Sequence, residues 1–389
     1  MEANVKTLAI FGTRPEAIKM APLVKALETR NGVESVVCVT GQHRSMLQQV
    51  LDLFQIRADY DLALMEPNQT LNGLCGKIIN SISRVLEEVR PDQVLVHGDT
   101  TTAMAAALAA FHQRVPVAHV EAGLRTGDIT QPWPEEMNRR VVDVVSDLMF
   151  APTASSRANL LQERLSGKIY VTGNTVIDAF RLTDHRIKED TQLRASLDAH
   201  LSFVDPARKL LLVTGHRREN FGPGFLNICT ALATLAKRDD IQVVYPVHLN
   251  PNVQAPVTEA LSSLPNVKLI APLDYLHFVR LMQHAHVILT DSGGVQEEAP
   301  YLGKPVLVMR EVTERPEAVE AGTVELVGTD ADRIVNAVVA LYERHHLWER
   351  FSRHRNPYGD GYAAGRIVAA LCGESFDEFV PGQIDAAGA

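Results

Sequence analysis

The chain has 389 residues, of which 46% are hydrophobic and 22% charged, with 38 Lys and Arg against 47 Asp and Glu. This length exceeds one ordinary core and predicts two domains, and the net charge of −9 gives no general attraction to nucleic acid or to an anionic membrane. No segment offers the roughly 18 uninterrupted apolar residues of a membrane-spanning helix, so we expect neither nucleic acid nor a membrane as a partner.

Short β-type runs alternate with longer helical patterns through the first half of the chain. The predicted strands are 5–11, 35–40, 93–99, 115–122, 148–152 and 169–173. The predicted helices are 15–29, 43–54, 72–89, 100–112 and 134–147. Such alternation indicates a parallel sheet with helices on both faces.

The second half repeats the pattern, with predicted strands at 209–215, 241–248, 267–273, 286–291, 304–309 and 323–328. The polar helical region 174–205 is the expected connector. We therefore predict an α/β protein with two Rossmann-like domains, 1–175 and 176–360, and a late helix within 361–375 that packs back on the first domain.

The four cysteines, Cys38, Cys75, Cys229 and Cys372, are scattered, without a CxxC pair or a secretory leader. This usage is typical of reduced thiols, so we expect a cytoplasmic protein. The sequence has no HExxH motif and no paired Cys/His spacing, and we predict no metal site. No Gly-x-Ser-x-Gly elbow is present, which argues against a serine hydrolase.

Unusual residues follow several predicted strands in both halves, among them Gly12-Thr13-Arg14-Pro15, Gly98-Asp99 and Gly215-His216. In open α/β sheets, ligands bind at the carboxyl ends of the strands. Because both halves contribute such turns, the simplest arrangement is two domains that face each other across a cleft.

The turn Ser292-Gly293-Gly294 follows an apolar run and precedes a helical stretch. It either closes an ordinary strand-to-helix turn or presents N–H groups to a diphosphate. Glu298 lies about one helical turn after Gly294 and suits a ribose diol, which favours the nucleotide interpretation. Arg14 and Lys19 bring positive charge to another helix start, and we interpret them as phosphate ligands rather than an exposed basic pair.

Acidic residues also follow neighbouring predicted strands, at Asp99 and Glu121, and Glu135 lies at a helix start. Each is compatible with a helix-capping role. Three carboxylates together with His216 also suit proton transfer, since burial and crowding bring their pKa values towards neutrality.

Taken together, these motifs resemble the non-hydrolysing UDP-N-acetylglucosamine 2-epimerases, over nearly the whole chain. The strings that carry the resemblance include "FGTRPEAIKMAPL", "VHGDTTTA", "HVEAGLRTGD", "PWPEEMNRR", "TGHRRENFG" and "TDSGGVQEEAP". The resemblance implies the GT-B architecture and conversion of UDP-GlcNAc to UDP-ManNAc through elimination of UDP and a 2-acetamidoglucal. It implies no cofactor, a homodimer, and a product used for cell-surface polysaccharide.

The resemblance also assigns roles to matching positions. Asp99, Glu121, Glu135 and His216 are the catalytic candidates, with Asp99 and Glu135 first for proton transfer. The expected UDP ligands are Arg14, Lys19, Phe278, Ser292, Gly293, Gly294, Glu298 and Arg315, and Phe278 lies beside the uracil. Many bacterial members also bind a second UDP-GlcNAc as an activator. The residues that match this activator site are Gln42, His43, Arg44, Glu136, Arg217 and His248. Leu273 and Asn68 stand where relatives often carry a polar and a basic residue.

Three rival functions share parts of this pattern. A GT-B glycosyltransferase has the same fold and binds the nucleotide in the same way. It does not require the three carboxylates of Asp99, Glu121 and Glu135. A UDP-sugar sensor requires no catalytic residues. A hydrolysing epimerase, which releases ManNAc and UDP, differs from the family only in overall sequence pattern.

Overall fold

A computed structural model of the chain describes residues 5–41, 44–66, 68–313, 315–353 and 356–382. The chain divides into two units: unit 1 runs up to Ala179 and includes Tyr358–Val380, and unit 2 is Phe180–Pro357. Both are built on parallel sheets, as the sequence predicts. Among these residues, no helix has the length and apolar character needed to cross a membrane.

Unit 1 is built on a parallel sheet with the strand order β3-β2-β1-β4-β5-β6-β7. The strands are β1 (Val5–Phe11), β2 (Val33–Val39), β3 (Tyr60–Asp61), β4 (Gln93–His97), β5 (Val117–Val120), β6 (Leu148–Ala151) and β7 (Lys168–Val171). Its helices are α1 (Arg14–Glu28), α2 (Arg44–Leu53), α3 (Leu71–Val89), α4 (Thr101–His112), α5 (Glu135–Val145), α6 (Ala154–Gln162) and α16 (Ala363–Leu371). Helix α7 (Thr175–Glu189) begins in unit 1 and crosses the boundary between the units.

The core of unit 1 lies between the central strands and the helices that cover them. Leu8 and Ile10 of β1 are buried, and so are Ile78 and Ile82 of α3. The spacing of four residues places Ile78 and Ile82 on one face of α3, against the sheet. Strands buried on both faces are apolar almost throughout, which is why the sequence predicts them well.

Unit 2 repeats the design with the strand order β10-β9-β8-β11-β12-β13, also parallel. Its strands are β8 (Lys209–Thr214), β9 (Ile241–Pro246), β10 (Val267–Ile270), β11 (Ala285–Thr290), β12 (Val306–Val308) and β13 (Val324–Leu326). Its helices are α8 (Thr191–His200), α9 (Pro223–Leu235), α10 (Pro251–Leu261), α11 (Tyr275–His284), α12 (Gly293–Glu298), α13 (Pro316–Glu320), α14 (Ala331–Glu343) and α15 (His345–Arg353).

Two features of unit 1 differ from the sequence prediction. The two-residue strand β3 was not predicted, because so short a run has no detectable alternation. Strand β5 ends at Val120 rather than at 122, because Glu121 adopts a left-handed backbone with φ of 69°. A non-glycine residue is uncommon in this conformation, and it turns the chain out of the sheet.

Candidate active site

The strand order of each sheet reverses at one position: between β1 and β4 in unit 1, and between β8 and β11 in unit 2. Parallel α/β sheets form a ligand crevice where the order reverses, beyond the carboxyl ends of the two strands. The turns at these positions are Gly12-Thr13, Gly98-Asp99, Gly215-His216 and Asp291-Ser292. Each unit therefore carries sequence-predicted site residues at its own reversal point.

The turn after β1 is held by the buried carboxylate of Glu16. This carboxylate accepts hydrogen bonds from the N–H of Gly12 (3.0 Å), the N–H of Thr13 (2.7 Å) and the hydroxyl of Thr100 (2.6 Å). Burial raises the pKa of Glu16. A Cβ at Gly12 would lie 2.0 Å from Oγ1 of Thr40, so the position admits only glycine. The turns after β1 and β4 are thus tied together.

The cationic candidates Arg14 and Lys19 lie on the helix that this turn begins. Arg14 is the first residue of α1 and is half-buried. Lys19 lies further along the helix, and its ammonium donates to Oε2 of Glu121. The residue predicted to bind phosphate therefore forms an ion pair with a catalytic candidate.

Glu121 follows β5, and side chains from several elements surround its carboxylate. Besides the ammonium of Lys19, the Nδ2 group of Asn174 donates to Oε2 at 2.9 Å. Nε2 of His97, the last residue of β4, lies 3.8 Å from the same oxygen. Neither Asn174 nor His97 was singled out from the sequence.

Asp99 follows β4, and Arg139 of α5 holds its carboxylate. Nε of Arg139 donates to Oδ2 of Asp99 at 3.0 Å, and Nη2 contacts the same oxygen. Nδ2 of Asn138 donates to the backbone carbonyl of Asp99 at 2.8 Å. Two consecutive side chains of α5 therefore fix both the backbone and the carboxylate of this candidate.

The adjacent acids Glu135 and Glu136 have contrasting surroundings at the start of α5. Glu136 is fully buried and accepts from Arg139 (3.2 Å), from Arg140 (3.0 Å) and from the N–H of Thr126 (3.1 Å). Glu135 is half-buried and, within the described ranges, forms no ion pair. Of these two acids, Glu136 therefore holds the protein together, whereas the carboxylate of Glu135 forms no ion pair with the described residues.

A buried network that the sequence did not reveal supports the turn at Gly98. His119 of β5 contacts Asp143 through Nδ1 (2.6 Å) and the carbonyl of Gly98 through Nε2 (2.8 Å). Arg125 contacts the other oxygen of Asp143 at 2.8 Å. Although burial opposes it, these two neighbours lower the pKa of Asp143. The two ring nitrogens of His119 thus connect Asp143 of α5 to the backbone at Gly98, which fixes the orientation of the ring.

In unit 2 a buried carboxylate, Asp291, holds the loop that carries His216. Asp291 accepts from the N–H of His216 (3.0 Å), from the N–H of Arg217 (2.9 Å) and from Nδ2 of Asn220 (3.2 Å). The imidazole of His216 stacks on His248, with 5.5 Å between ring centroids. Burial lowers the pKa of His216 although Asp291 opposes the shift. At neutral pH this favours the neutral ring.

The predicted glycine turn, Ser292-Gly293-Gly294, lies at the start of α12. A Cβ placed on Gly293 would lie 3.7 Å from a terminal nitrogen of Arg217 and 3.7 Å from one of Arg315. The two guanidinium groups therefore border the turn. This combination of backbone N–H groups and two cations is suited to a diphosphate.

The two carboxylates on α12 have separate partners. Glu297 is buried and forms an ion pair with Nε of Arg315. Glu298 accepts a hydrogen bond from the hydroxyl of Tyr275 at 3.2 Å. Tyr275 begins α11, and Phe278 lies one turn later on the same helix. Glu297 thus orients a cation, whereas Glu298 contacts an aromatic hydroxyl at the start of the helix that carries Phe278.

Three residues of the predicted activator site cannot be compared with the structure. Gln42 and His43 lie outside the described residues, and for Arg44 only its place at the start of α2 is described. Among the residues that are described, no three His, Cys, Asp or Glu side chains group as metal ligands would.

Comparison with known proteins identifies relatives over almost the whole chain. A family model described as UDP-N-acetylglucosamine 2-epimerase matches residues 25–372. The UDP-N-acetylglucosamine 2-epimerase of Yersinia pestis is 57% identical over 369 residues, which cover 94% of this chain and 98% of the relative.

Solved structures agree with this relationship. The crystal structure of the Neisseria meningitidis UDP-GlcNAc 2-epimerase bound to UDP-GlcNAc is 51% identical, with a TM-score of 0.88, over 95% of this chain and 100% of that one. The Methanocaldococcus jannaschii UDP-GlcNAc 2-epimerase in complex with UDP-GlcNAc and UDP is 34% identical, with a TM-score of 0.77, over 94% of this chain and 99% of that one.

Proposed function

The chain belongs to the UDP-N-acetylglucosamine 2-epimerase family, and we propose that it works by eliminating UDP from its substrate and adding UDP back. Its reaction is the interconversion of UDP-GlcNAc and UDP-ManNAc by inversion at C2, so the protein is an isomerase. The observation that carries the proposal is that Asp99 and Glu121 follow the paired strands β4 and β5, and that α5, which begins at Glu135, carries the two side chains that hold Asp99.

The chemistry explains why several carboxylates are needed. No carbonyl group acidifies the C2 proton, so a base removes it while the anomeric C–O bond breaks and its electron pair leaves with UDP. A C1=C2 double bond forms, which gives the 2-acetamidoglucal. Return of UDP to C1 and of a proton to the opposite face of C2 completes the inversion. Proton transfer on two faces requires two groups.

We assign proton transfer to Asp99 and Glu135. Arg139 and Asn138 orient Asp99, and the carboxylate of Glu135 is not engaged by a cation of the described protein. Glu121, with its three polar neighbours, positions the substrate or relays a proton. His216 assists the departing diphosphate, because its neutral imidazole donates a hydrogen bond without a further charge.

We assign the nucleotide to unit 2. The N–H groups of the turn Ser292-Gly293-Gly294 and the guanidinium of Arg315 bind the diphosphate, and Arg14 and Lys19 add positive charge as the elimination proceeds. Glu298 accepts from the ribose hydroxyls. Phe278 packs on the uracil, and backbone groups near Leu273 read its edge.

Three further parts of the proposal concern the oligomeric state, the regulation and the cellular location of the protein. We propose a homodimer, which is supported by Phe111 of α4 and Val144 of α5, 55% and 62% exposed on helices that pack together. We propose a second, activating UDP-GlcNAc, for which Arg217 and His248 are the candidate ligands in unit 2. The free cysteines support a reducing, cytoplasmic location, where the product enters cell-surface polysaccharide synthesis.

Product analysis distinguishes the proposal from its rivals. Incubation of the purified protein with UDP-GlcNAc, without NAD or added metal, is expected to give UDP-ManNAc detectable by NMR. Release of free ManNAc and UDP would indicate a hydrolysing epimerase instead. Turnover only in the presence of a sugar acceptor would indicate a glycosyltransferase, and binding without turnover a sensor.

A further inference from the structure

His97 is a buried histidine for which the reaction described above has no use. It ends β4 and is 3% exposed, and neither of its ring nitrogens has a hydrogen-bond partner among the described residues. A neutral imidazole carries one donor and one acceptor. Leaving such groups buried and unpaired destabilises a protein. Unsatisfied buried groups are rare, and each needs a reason.

The surroundings of His97 indicate that reason. Its Nε2 lies 3.8 Å from Oε2 of Glu121, about 1 Å beyond hydrogen-bond range. The charged or titratable groups that face it are Glu121 after β5, Lys19 on α1 and His119 on β5. Lys19 and Asn174 already donate to the same oxygen of Glu121.

The ion pair between Lys19 and Glu121 creates a conflict during the reaction. In the proposed function, on which this inference rests, Lys19 also serves the departing diphosphate. Attraction of its ammonium to that negative charge would weaken its hydrogen bond to Glu121. Glu121 would then lose orientation at the moment when it positions the substrate or relays a proton.

We propose that His97 is a positioning residue that donates its Nε2–H to Glu121 when Lys19 is drawn away. The imidazole needs to move only about 1 Å to reach the carboxylate. The exchange replaces a charged donor by a neutral one, so Glu121 stays oriented while it becomes a stronger base than beside an ammonium.

Burial supports this role. It lowers the pKa of His97 to about 3, although Glu121 opposes the shift. The ring is therefore neutral at physiological pH and retains an N–H to donate. A protonated ring would place a second cation beside Glu121 and would weaken it as a base.

A pair of substitutions separates this role from simple packing. His97→Leu removes the donor and keeps an apolar filling, whereas His97→Gln keeps a neutral N–H at similar reach. With UDP-GlcNAc as substrate, His97→Leu is expected to lower kcat about 10- to 100-fold, as for loss of a hydrogen bond to a charged group. KM is expected to change less than threefold, and His97→Gln is expected to restore most of the lost kcat.

The pH profile gives a second readout that packing alone does not move. Because the donated hydrogen bond favours ionised Glu121, its loss moves the acid limb of kcat to higher pH by about one unit. A parental acid limb and parental kcat in His97→Leu would refute the proposal. Equal losses in the Leu and Gln variants would refute it too. If His97→Leu does not fold, His97→Met replaces it.

A titration without substrate keeps this inference separate from the proposed function. In a Lys19→Met background, the ammonium is absent and His97 is the expected donor to Glu121. Carbon-13 NMR of glutamate-labelled protein, assigned with Glu121→Gln, follows that carboxyl. Adding His97→Leu should move its titration midpoint to higher pH by about one unit. An unchanged midpoint contradicts the role of His97 even if the protein epimerises UDP-GlcNAc. A midpoint that moves to higher pH supports the role of His97 even if the protein does not epimerise UDP-GlcNAc.

Discussion

Lys19 on α1 donates to the carboxylate of Glu121 after β5, although 102 residues separate them in the chain. Both side chains are largely buried, 15% and 9% exposed. A buried carboxylate without its cation is costly, so the pair holds α1 and the end of β5 together. We also propose that Lys19 stabilises the departing UDP. Substitution of either partner separates this role from the structural role of the ion pair.

Glu121→Gln is expected to lower turnover by roughly 100-fold or more, because the amide cannot accept a proton. Since the substitution frees Lys19, UDP affinity should stay the same or increase. Steady-state kinetics and calorimetry on the same preparation give both values. If UDP affinity falls as steeply as turnover, Glu121 is part of the nucleotide site and not of the proton-transfer group.

Asp99→Asn and Glu135→Gln keep size and most hydrogen bonds but remove the basic carboxylate. Each is expected to lower turnover by roughly 100-fold or more, with little change in UDP affinity or melting temperature. Asp52→Asn, an exposed acid on α2, is the matched control and should behave as the parent. Near-parental turnover in both variants would mean that these residues have only a structural role and that the base is Glu121 or His216.

Glu298→Ala is expected to weaken UDP binding by roughly 1–3 kcal/mol, because a buried ribose diol loses its acceptor. Tyr275→Phe, which removes the hydroxyl that donates to Glu298, should have a smaller effect. Calorimetric titration with UDP measures both. If Glu298→Ala binds UDP with parental affinity, Glu298 has only a structural role in α12 and does not bind the ribose.

The stability of the protein is expected to depend on pH through His97. Its native pKa of about 3 lies below the ordinary value of 6.5, so the unfolded chain binds a proton first as the pH falls. The stability from the neutral buried ring is complete above pH 6.5 and is lost progressively towards pH 3.

His97→Leu removes this dependence. Relative to the variant, the parental free energy of unfolding should fall by about 2 kcal/mol between pH 8 and pH 5. Urea unfolding at both pH values, followed by a probe in unit 1, measures the difference. A constant gap between parent and variant would show that His97 has the same pKa in the native and the unfolded state.

The fold was largely predictable because buried parallel strands are apolar runs. The predicted strand 5–11 coincides with β1, and 209–215 differs from β8 by one residue. The placement of Asp99 and Ser292 after strands also follows from sequence, since such residues are conspicuous beside apolar runs.

The partners of these residues were not predictable. Arg139 pairs with Asp99, and Asp143 pairs with His119, over separations of 40 and 24 residues. Such contacts depend on how a helix is oriented on its sheet, which local patterns do not encode. His97 was overlooked for a related reason, because a histidine at the end of an apolar strand is usually a core residue.

The central claim is that inversion proceeds through loss and return of the C2 proton, and solvent isotope tests it most directly. UDP-GlcNAc is incubated with the enzyme in deuterated water, and proton NMR follows the C2 signal of both nucleotide sugars. Elimination and re-addition predict that UDP-ManNAc carries deuterium at C2 from the first turnovers, because the carboxylates exchange with solvent. UDP-ManNAc that fully retains the original C2 hydrogen would contradict the mechanism.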